Sequence, residues 1–438
     1  LSSGAVESSS AFRVPLARQK KQTKRGFKYD WVVSSGRPMA GPFSDVERSI
    51  FAAKEVLSED HQPDQILERD EEIEEYRHAL EDVLFGRTPQ NIMLYGKAGL
   101  GKTAVTKYMM EALQTEVTER PDAEELHVHE LNCNGKTVYA VVRTLVNELL
   151  PDTASDFPKR GLGTADAFEE LYGQLDRLGG THLIVFDEID HLDAVDTLLY
   201  ELPRARSIGH ITNSKVGVIG ISNNYTFRQS LSPKVKDTLM ESEISFSPYD
   251  ASELRAILAD RADRAFVDGV CEESAIARAA AIAAKDRGNA RQAIDLLRVG
   301  GEVAKKRGDT HVDDTHIVAA QELVQRGRLR NRIRDQTQHA QLLLETLAYI
   351  EQHEEAPARS KAIKNRYEDV ADSHAVAPLT TLKSIQNHLS DLHMLGFLRR
   401  TGQNHGEGGG RYYEYSLDLD PQIVLDIRRE IEAAANPG

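Results

Sequence analysis

The sequence predicts a doubly wound α/β domain with a small helical lid, followed by a C-terminal winged helix. Three observations carry that reading. Short apolar runs alternate with helical patterns up to Pro248, and apolar residues then recur only at helical spacing from Leu254 to Val324. The last hundred residues read helix, helix, hairpin. At 438 residues the chain is too long for one compact core. The expected divisions are a basic arm at 1–42, an α/β domain at 43–248, a lid at 249–325, a basic linker at 326–340 and a winged helix at 341–430.

The N-terminal stretch is poor in apolar side chains and carries Arg13, Arg18, Lys20, Lys21, Lys24, Arg25 and Lys28. It reads as a flexible tail or as a DNA-binding arm. From Phe51 to Leu84 the pattern is helical and acidic. Strand signals follow at Asn91–Tyr95, Leu126–Asn132, Leu183–Asp187 and Val216–Ser222, with helices after Lys102 and around Val138–Leu150 between them. Such alternation makes a parallel sheet covered on both faces. Beyond the lid, Arg326, Arg328, Arg330, Arg332 and Arg334 form a polar, basic bridge before the apolar helix Leu342–Ile350.

The net charge is −15, and only 19 of the 54 basic residues are lysine. An acidic, lysine-poor surface suits a chain working in concentrated salt, where at about 1 M the Debye length is roughly 3 Å and repulsion from DNA is screened. No apolar run approaches the roughly 18 residues of a membrane span, so a soluble, cytoplasmic protein without a membrane partner is expected. Cys133 and Cys271 stand alone and are expected to be buried, reduced thiols.

Gly96-Lys97-Ala98-Gly99-Leu100-Gly101-Lys102-Thr103 fits the phosphate-loop pattern and sits between the run Ile92–Tyr95 and a helix. Gly99 and Gly101 let backbone amides turn onto phosphates, Lys102 reaches the terminal phosphates and Thr103 ligates Mg2+, with Leu100 and Ala104 completing the loop for ATP or ADP. The strand Leu183–Phe186 ends in Asp187-Glu188, where one carboxylate can hold the metal and the next can orient a lytic water. Asn223, at the end of Val216–Ser222, either contacts the terminal phosphate or water, or forms a turn.

Together these elements resemble the archaeal origin-recognition and cell-division-control family, in the initiator branch of the AAA+ ATPases, related to eukaryotic origin recognition complex subunit one. The resemblance spans about Gln65 to Leu417. It implies an AAA+ fold in which Gly96–Thr103, Asp187-Glu188-Ile189-Asp190 and Ile221-Ser222-Asn223 serve as Walker A, Walker B and sensor one. It also implies that Arg291 of Gly288-Asn289-Ala290-Arg291 is a sensor-two arginine, and that Tyr249 and Arg261 of the lid meet the nucleotide. Where the family often carries an arginine finger, this chain reads Ser232-Pro233-Lys234, so hydrolysis within one subunit and hydrolysis on self-association both stay open. Residues 151–167 resemble the family's initiator-specific insertion, with Lys159 and Arg160 facing DNA or solvent.

In the last hundred residues Leu382, Ile385, Leu389 and Leu392 make an apolar stripe, and Lys383, Gln386 and Asn387 lie on the opposite face. Before it stands a helix with Ile363, Tyr367 and Val370, and after it come Arg399 and Arg400, the tip Gly406–Gly410, and Arg411. Gln386 and Asn387 suit base edges in a major groove, Lys383 suits phosphate or guanine, and the three wing arginines suit backbone or minor-groove contact. A winged helix used only for protein contact is the alternative. From Arg326 onward the net charge is −1, against −14 for the rest, which fits a DNA face. The resemblance implies an ATP-dependent replication initiator that binds origin repeats in double-stranded DNA and helps bring the replicative helicase. A nucleotide-gated DNA-binding regulator with little hydrolysis is the other reading, and a clamp-loader-like subunit would not need the winged helix.

Overall fold

The computed structural model describes residues 50–120, 123–404 and 411–435, with side chains left out at 403, 404, 411 and 435. The expected basic arm and the glycine-rich wing tip lie outside the described residues.

The expected helix from Phe51 to Leu84 is broken. A single 3-10 turn covers Lys54–Leu57, and an irregular stretch then leads to α1 (Asp70–Leu84). Pro63 explains the break, because its ring removes an amide donor and disfavours helix at the residue before it. Helix α1 restarts where Asp70, Glu71 and Glu72 meet the positive end of the helix dipole, and it buries Tyr76, Ala79, Leu80 and Val83 at three- and four-residue spacing.

Strand β1 (Ile92–Tyr95) is buried at all four positions and feeds α2 (Lys102–Glu119) through the phosphate loop. Its side chains alternate between two cores, Ile92 and Leu94 into one and Met93 and Tyr95 into the other. Next come β2 (Leu126–Asn132), α3 (Val138–Leu149) and α4 (Thr164–Leu178), then β3 (Gly180–Asp187) and α5 (Val195–Arg204). The domain continues with β4 (Ser214–Ser222), the short α6 (Phe227–Ser230), α7 (Pro233–Leu239) and β5 (Ser242–Ser245). The strands lie in the order β2-β3-β4-β1-β5, every neighbouring pair parallel. Strand β5 escapes sequence reading because its four residues, Ser-Glu-Ile-Ser, bury only Ile244. The parallel order sends the ends of β1, β2, β3 and β4 to one edge of the sheet.

The segment resembling an insertion is irregular from Leu150 to Gly163 and is fastened to α3. Tyr139 Oη donates to the Pro158 carbonyl at 2.7 Å, and Arg143 Nε to the Phe157 carbonyl at 2.9 Å. Lys159 and Arg160 are exposed on it.

The lid comprises α8 (Ala251–Ala265), α9 (Glu273–Asp286), α10 (Ala290–Arg307) and α11 (Asp314–Arg334). Asp250 and Asp313 cap α8 and α11 with their carboxylates, each accepting two backbone amides. The arginine run read as a bridge is the C-terminal half of α11, which stays helical throughout. Ile317 is buried in the lid core and Ile333 in the core of the next domain, so one helix serves both. Arg326 pairs with Glu430 at 2.7 Å, and Arg332 donates to the Leu395 carbonyl at 2.6 Å while lying over the Phe397 ring.

The winged helix contains α12 (Gln338–Gln352), β6 (Ala358–Arg359), α13 (Ser360–Ser373), α14 (Leu382–Met394), β7 (Leu398–Asn404), β8 (Arg411–Leu417) and α15 (Pro421–Ala435). Its antiparallel sheet has the order β6-β8-β7. Ile363, Tyr367 and Val370 of α13 and Ile385, Leu389 and Leu392 of α14 are buried as expected, whereas Leu382 is 38% exposed. Leu382 is the first residue of α14, with too little of the helix before it to be covered. Cys133 is buried, but Cys271 is only partly so, and both are free thiols.

Candidate nucleotide site and DNA face

Gly99 and Gly101 have φ of +82° and +90°, the left-handed region that L side chains rarely adopt. A Cβ on Gly101 would stand 2.9 Å from the Tyr249 hydroxyl, and one on Gly99 would overlap the Asn289 side chain. The loop is therefore closed on its outer side by the lid. Leu100 is a buried core residue whose side chain packs beneath Gly96.

Lys102 is 4% exposed, and its Nζ donates to the carbonyls of Gly96 at 2.7 Å and Lys97 at 2.9 Å and to Asn223 Oδ1 at 3.0 Å. Burial pushes its pKa down to about 8, with Asp187 and Asp190 opposing the shift. Thr103 Oγ1 donates to Asp187 Oδ2 at 2.9 Å. Glu188 has φ of +54°, its amide donates to Asp187 Oδ1, and Asn132 Nδ2 reaches its Oε2 at 3.5 Å. Asp190 Oδ1 accepts the Asn223 amide at 3.2 Å. The tips of β1, β2, β3 and β4 thus meet in one hydrogen-bonded cluster.

A single cavity is lined by Gly99, Gly101, Lys102, Thr103, Ala104, Asp187, Glu188 and Asn223, and on the lid side by Tyr249, Arg261 and Arg291. Its other wall is the irregular stretch from Leu57 to Leu67. Tyr249 is buried, stacked under the Arg69 guanidinium, whose carbon lies 3.6 Å from the ring centroid. Arg261 is buried, and its Nη1 donates to the Val56 carbonyl at 3.1 Å. Burial, then the neighbouring Arg264, lowers its pKa. Arg291 is exposed to the cavity at the first turn of α10.

Asn132, Asp190, Arg69 and Asn289 also belong to this constellation: in the sequence Asp190 and Asn289 stand within the Walker B and sensor-two motifs without roles of their own, Asn132 only as a strand end, and Arg69 is unmarked. Asn132 carries the one available signal, a polar side chain ending an apolar strand at the same edge as Asp187. Lys234 lies elsewhere: its Nζ is 3.4 Å from the centroid of the Tyr200 ring, which also carries Arg204 at 4.1 Å.

On the winged helix, Lys383, Gln386 and Asn387 form an exposed face of α14. Thr381 caps that helix, its Oγ1 accepting the Ser384 amide. Arg400 lies over the Tyr413 ring at 4.5 Å, and Arg399 pairs with Asp418 at 2.5 Å. The Arg411 side chain lies outside the described residues. Arg359, unmarked in sequence, stacks on Tyr412 at 3.7 Å beside them.

A phosphate loop on a parallel sheet, closed by a helical lid and continued by a winged helix, defines an AAA+ ATPase-type protein with a C-terminal winged-helix domain. Comparison with protein families agrees: AAA ATPase domain matches residues 65–212, Cdc6 AAA+ ATPase-type lid domain 255–322, and CDC6 C-terminal winged helix domain 331–427. The chain is 47% identical over 397 residues to ORC1-type DNA replication protein 8 of Halobacterium salinarum, covering 90% of this chain and 100% of that one. It is 43% identical to ORC1-type DNA replication protein 15 of Haloarcula marismortui, with 88% and 94% coverage. The solved structure of the Aeropyrum pernix ORC1 protein in complex with DNA superposes with a TM-score of 0.73 at 32% identity, over 89% of this chain and 99% of that one. The chain belongs to the ORC1-type DNA replication protein family. Its acidic, lysine-poor composition fits these haloarchaeal relatives. Among the described residues no helix is long and apolar enough to cross a membrane.

Proposed function

We propose that this chain is an ATP-dependent DNA replication initiator: it binds ATP with Mg2+, grips origin repeats through the winged helix, hydrolyses ATP slowly and helps recruit the replicative helicase. The observation that supports this most directly is the convergence of Lys102, Thr103, Asp187, Glu188, Asn223 and Arg291 on one cavity between sheet and lid. Lys102 gives up its carbonyl and amide partners for the β- and γ-phosphate oxygens, and the loop amides cradle the phosphates. Asn223, released from Lys102, and Arg291, arriving with the lid, address the γ-phosphate. Glu188 orients water for in-line attack and accepts its proton.

Thr103 Oγ1 and Asp187 Oδ2 fit a magnesium ion, since they set two hard oxygens 2.9 Å apart at the loop. Magnesium commonly keeps several waters and takes its other ligands from phosphate, so two protein oxygens suffice. Magnesium, when bound, neutralises charge on the phosphates.

Because the lid core and the winged-helix core share α11, a nucleotide-dependent lid angle carries the α14 face with it. Fluorescence anisotropy in molar KCl, with ATP and Mg2+ present, tests the reading. An origin repeat is expected to bind at least tenfold tighter than a scrambled duplex, and equal affinities would sink it.

A further inference from the structure

The phosphate loop is held from outside by the first turn of α10. Asn289 Nδ2 donates to the Ala98 carbonyl at 3.1 Å, and the Ala290 amide donates to the Gly99 carbonyl at 3.1 Å. The same Asn289 caps its own helix, its Oδ1 accepting the Gln292 amide at 3.2 Å. Its side chain fills the space a Cβ on Gly99 would need, with Oδ1 only 1.9 Å from that position. The segment leading into α8 is tied in as well, since the Tyr249 amide donates to the Gly288 carbonyl at 3.0 Å.

A trans peptide unit is planar, and its C=O and N–H point in opposite directions. Fixing the Ala98 and Gly99 carbonyls toward the lid therefore fixes the amides of Gly99 and Leu100 toward the opposite side, where phosphate belongs. A loop with its amides already aimed spends less binding energy on ordering. We infer that Asn289 is a positioning residue for the nucleotide: its carboxamide latches the lid to the phosphate loop, aims the loop amides and delivers Arg291 two residues further on. This rests on the nucleotide-site reading above.

The chemistry is specific to a carboxamide. Only a group of this length that donates and accepts can serve Ala98 and Gln292 together. Aspartate keeps the cap but offers no donor and sets an oxygen against a carbonyl oxygen. Alanine loses both. Gly99 is then a glycine partly for the sake of Asn289, a requirement outside the phosphate-loop pattern, which leaves this position free.

The test uses the full chain and equilibrium titration with fluorescent ADP and Mg2+, alongside melting of the free protein. Asn289→Asp should weaken ADP binding at least tenfold while the free chain melts within about 2 °C of the parent, since the cap survives. Asn289→Ala should weaken binding as much and also lower the melting point. Coupling to Arg291 separates a latch from a merely structural residue. With a fluorescent non-hydrolysable ATP analogue in place of ADP, so that the γ-phosphate is present, Arg291→Ala should cost at least tenfold in the parent and less than threefold in Asn289→Asp. If Asn289→Asp binds ADP within twofold of the parent, and Arg291→Ala costs the same in both backgrounds, the latch is overturned while the nucleotide site stands, provided that Lys102→Ala abolishes binding. If the parent itself binds no ADP, both readings fall.

Discussion

Lys102 Nζ donates to Asn223 Oδ1 at 3.0 Å, so the cation of the phosphate loop is paired with the side-chain amide at the tip of β4. Two carbonyls complete the lysine's solvation, and its lowered pKa records that burial still costs free energy. Lys102→Ala should therefore abolish measurable nucleotide binding without lowering the melting point of the free chain. In the parent, ligand at 100 times Kd should add about 2.7 kcal/mol of stability. In the variant, ADP should shift the melting point by nothing. Thermal melts with and without ADP and Mg2+ decide this, and a free variant melting more than 5 °C below the parent would contradict it.

Glu188 sits where a base is useful, one residue past the strand tip, with Asn132 at 3.5 Å from its carboxylate. Glu188→Gln keeps the shape and the Asn132 contact but removes the proton acceptor. Turnover should fall by about 10² to 10⁴, the usual worth of a general base, with ADP affinity within threefold. Single-turnover hydrolysis of radiolabelled ATP measures it. Unchanged turnover would move the base elsewhere, and parent turnover near zero would favour the nucleotide-gated regulator.

The phosphate loop and the acidic tip were legible because backbone geometry leaves few residues that serve. Glycine is needed at Gly101, with φ of +90°, and an apolar run must end at Asp187 for its carboxylate to reach Thr103. The winged helix was legible through the spacing of Ile385, Leu389 and Leu392. Partners made by tertiary contact were not. Asn289 looks like an ordinary helix cap until the loop 191 residues away arrives beneath it. Arg326 and Arg330 look like a linker until Glu430 of α15 pairs with both. The helical expectation from Phe51 failed because composition favoured helix while Pro63 did not.

On α14, Asn387 and Lys383 lie one turn apart on the exposed face but are expected to fail differently. Asn387→Ala should cost about 1–3 kcal/mol on the cognate duplex alone. Lys383→Ala should weaken all duplexes alike and reduce the salt slope of log K by about 1 if it meets phosphate. Titrations of cognate and scrambled duplexes at several KCl concentrations separate the two. Equal losses on both duplexes for Asn387→Ala would remove it from base reading.

Three histidines cluster beneath α3 and α4, and His182 among them should make the fold sensitive to acid. His127 and His182 are register partners on β2 and β3 with ring centroids 4.6 Å apart, and His129 stacks at 5.5 Å from His182. His182 is fully buried, and its pKa falls to about 3 through burial first and then its histidine neighbours. In the unfolded chain it titrates near 6.5. A folded pKa below the unfolded one means that the unfolded state binds the extra proton. This stability is complete above about pH 6.5 and is lost as pH falls toward 3, at about 1.4 kcal/mol per pH unit. His182→Phe gives up the hydrogen bond with His129 but removes the titration. Its unfolding free energy should fall less steeply than the parent's between pH 6.5 and 5, by about 2 kcal/mol over that interval. Urea unfolding at fixed high KCl measures both slopes, and parallel slopes would exclude His182 as the group responsible.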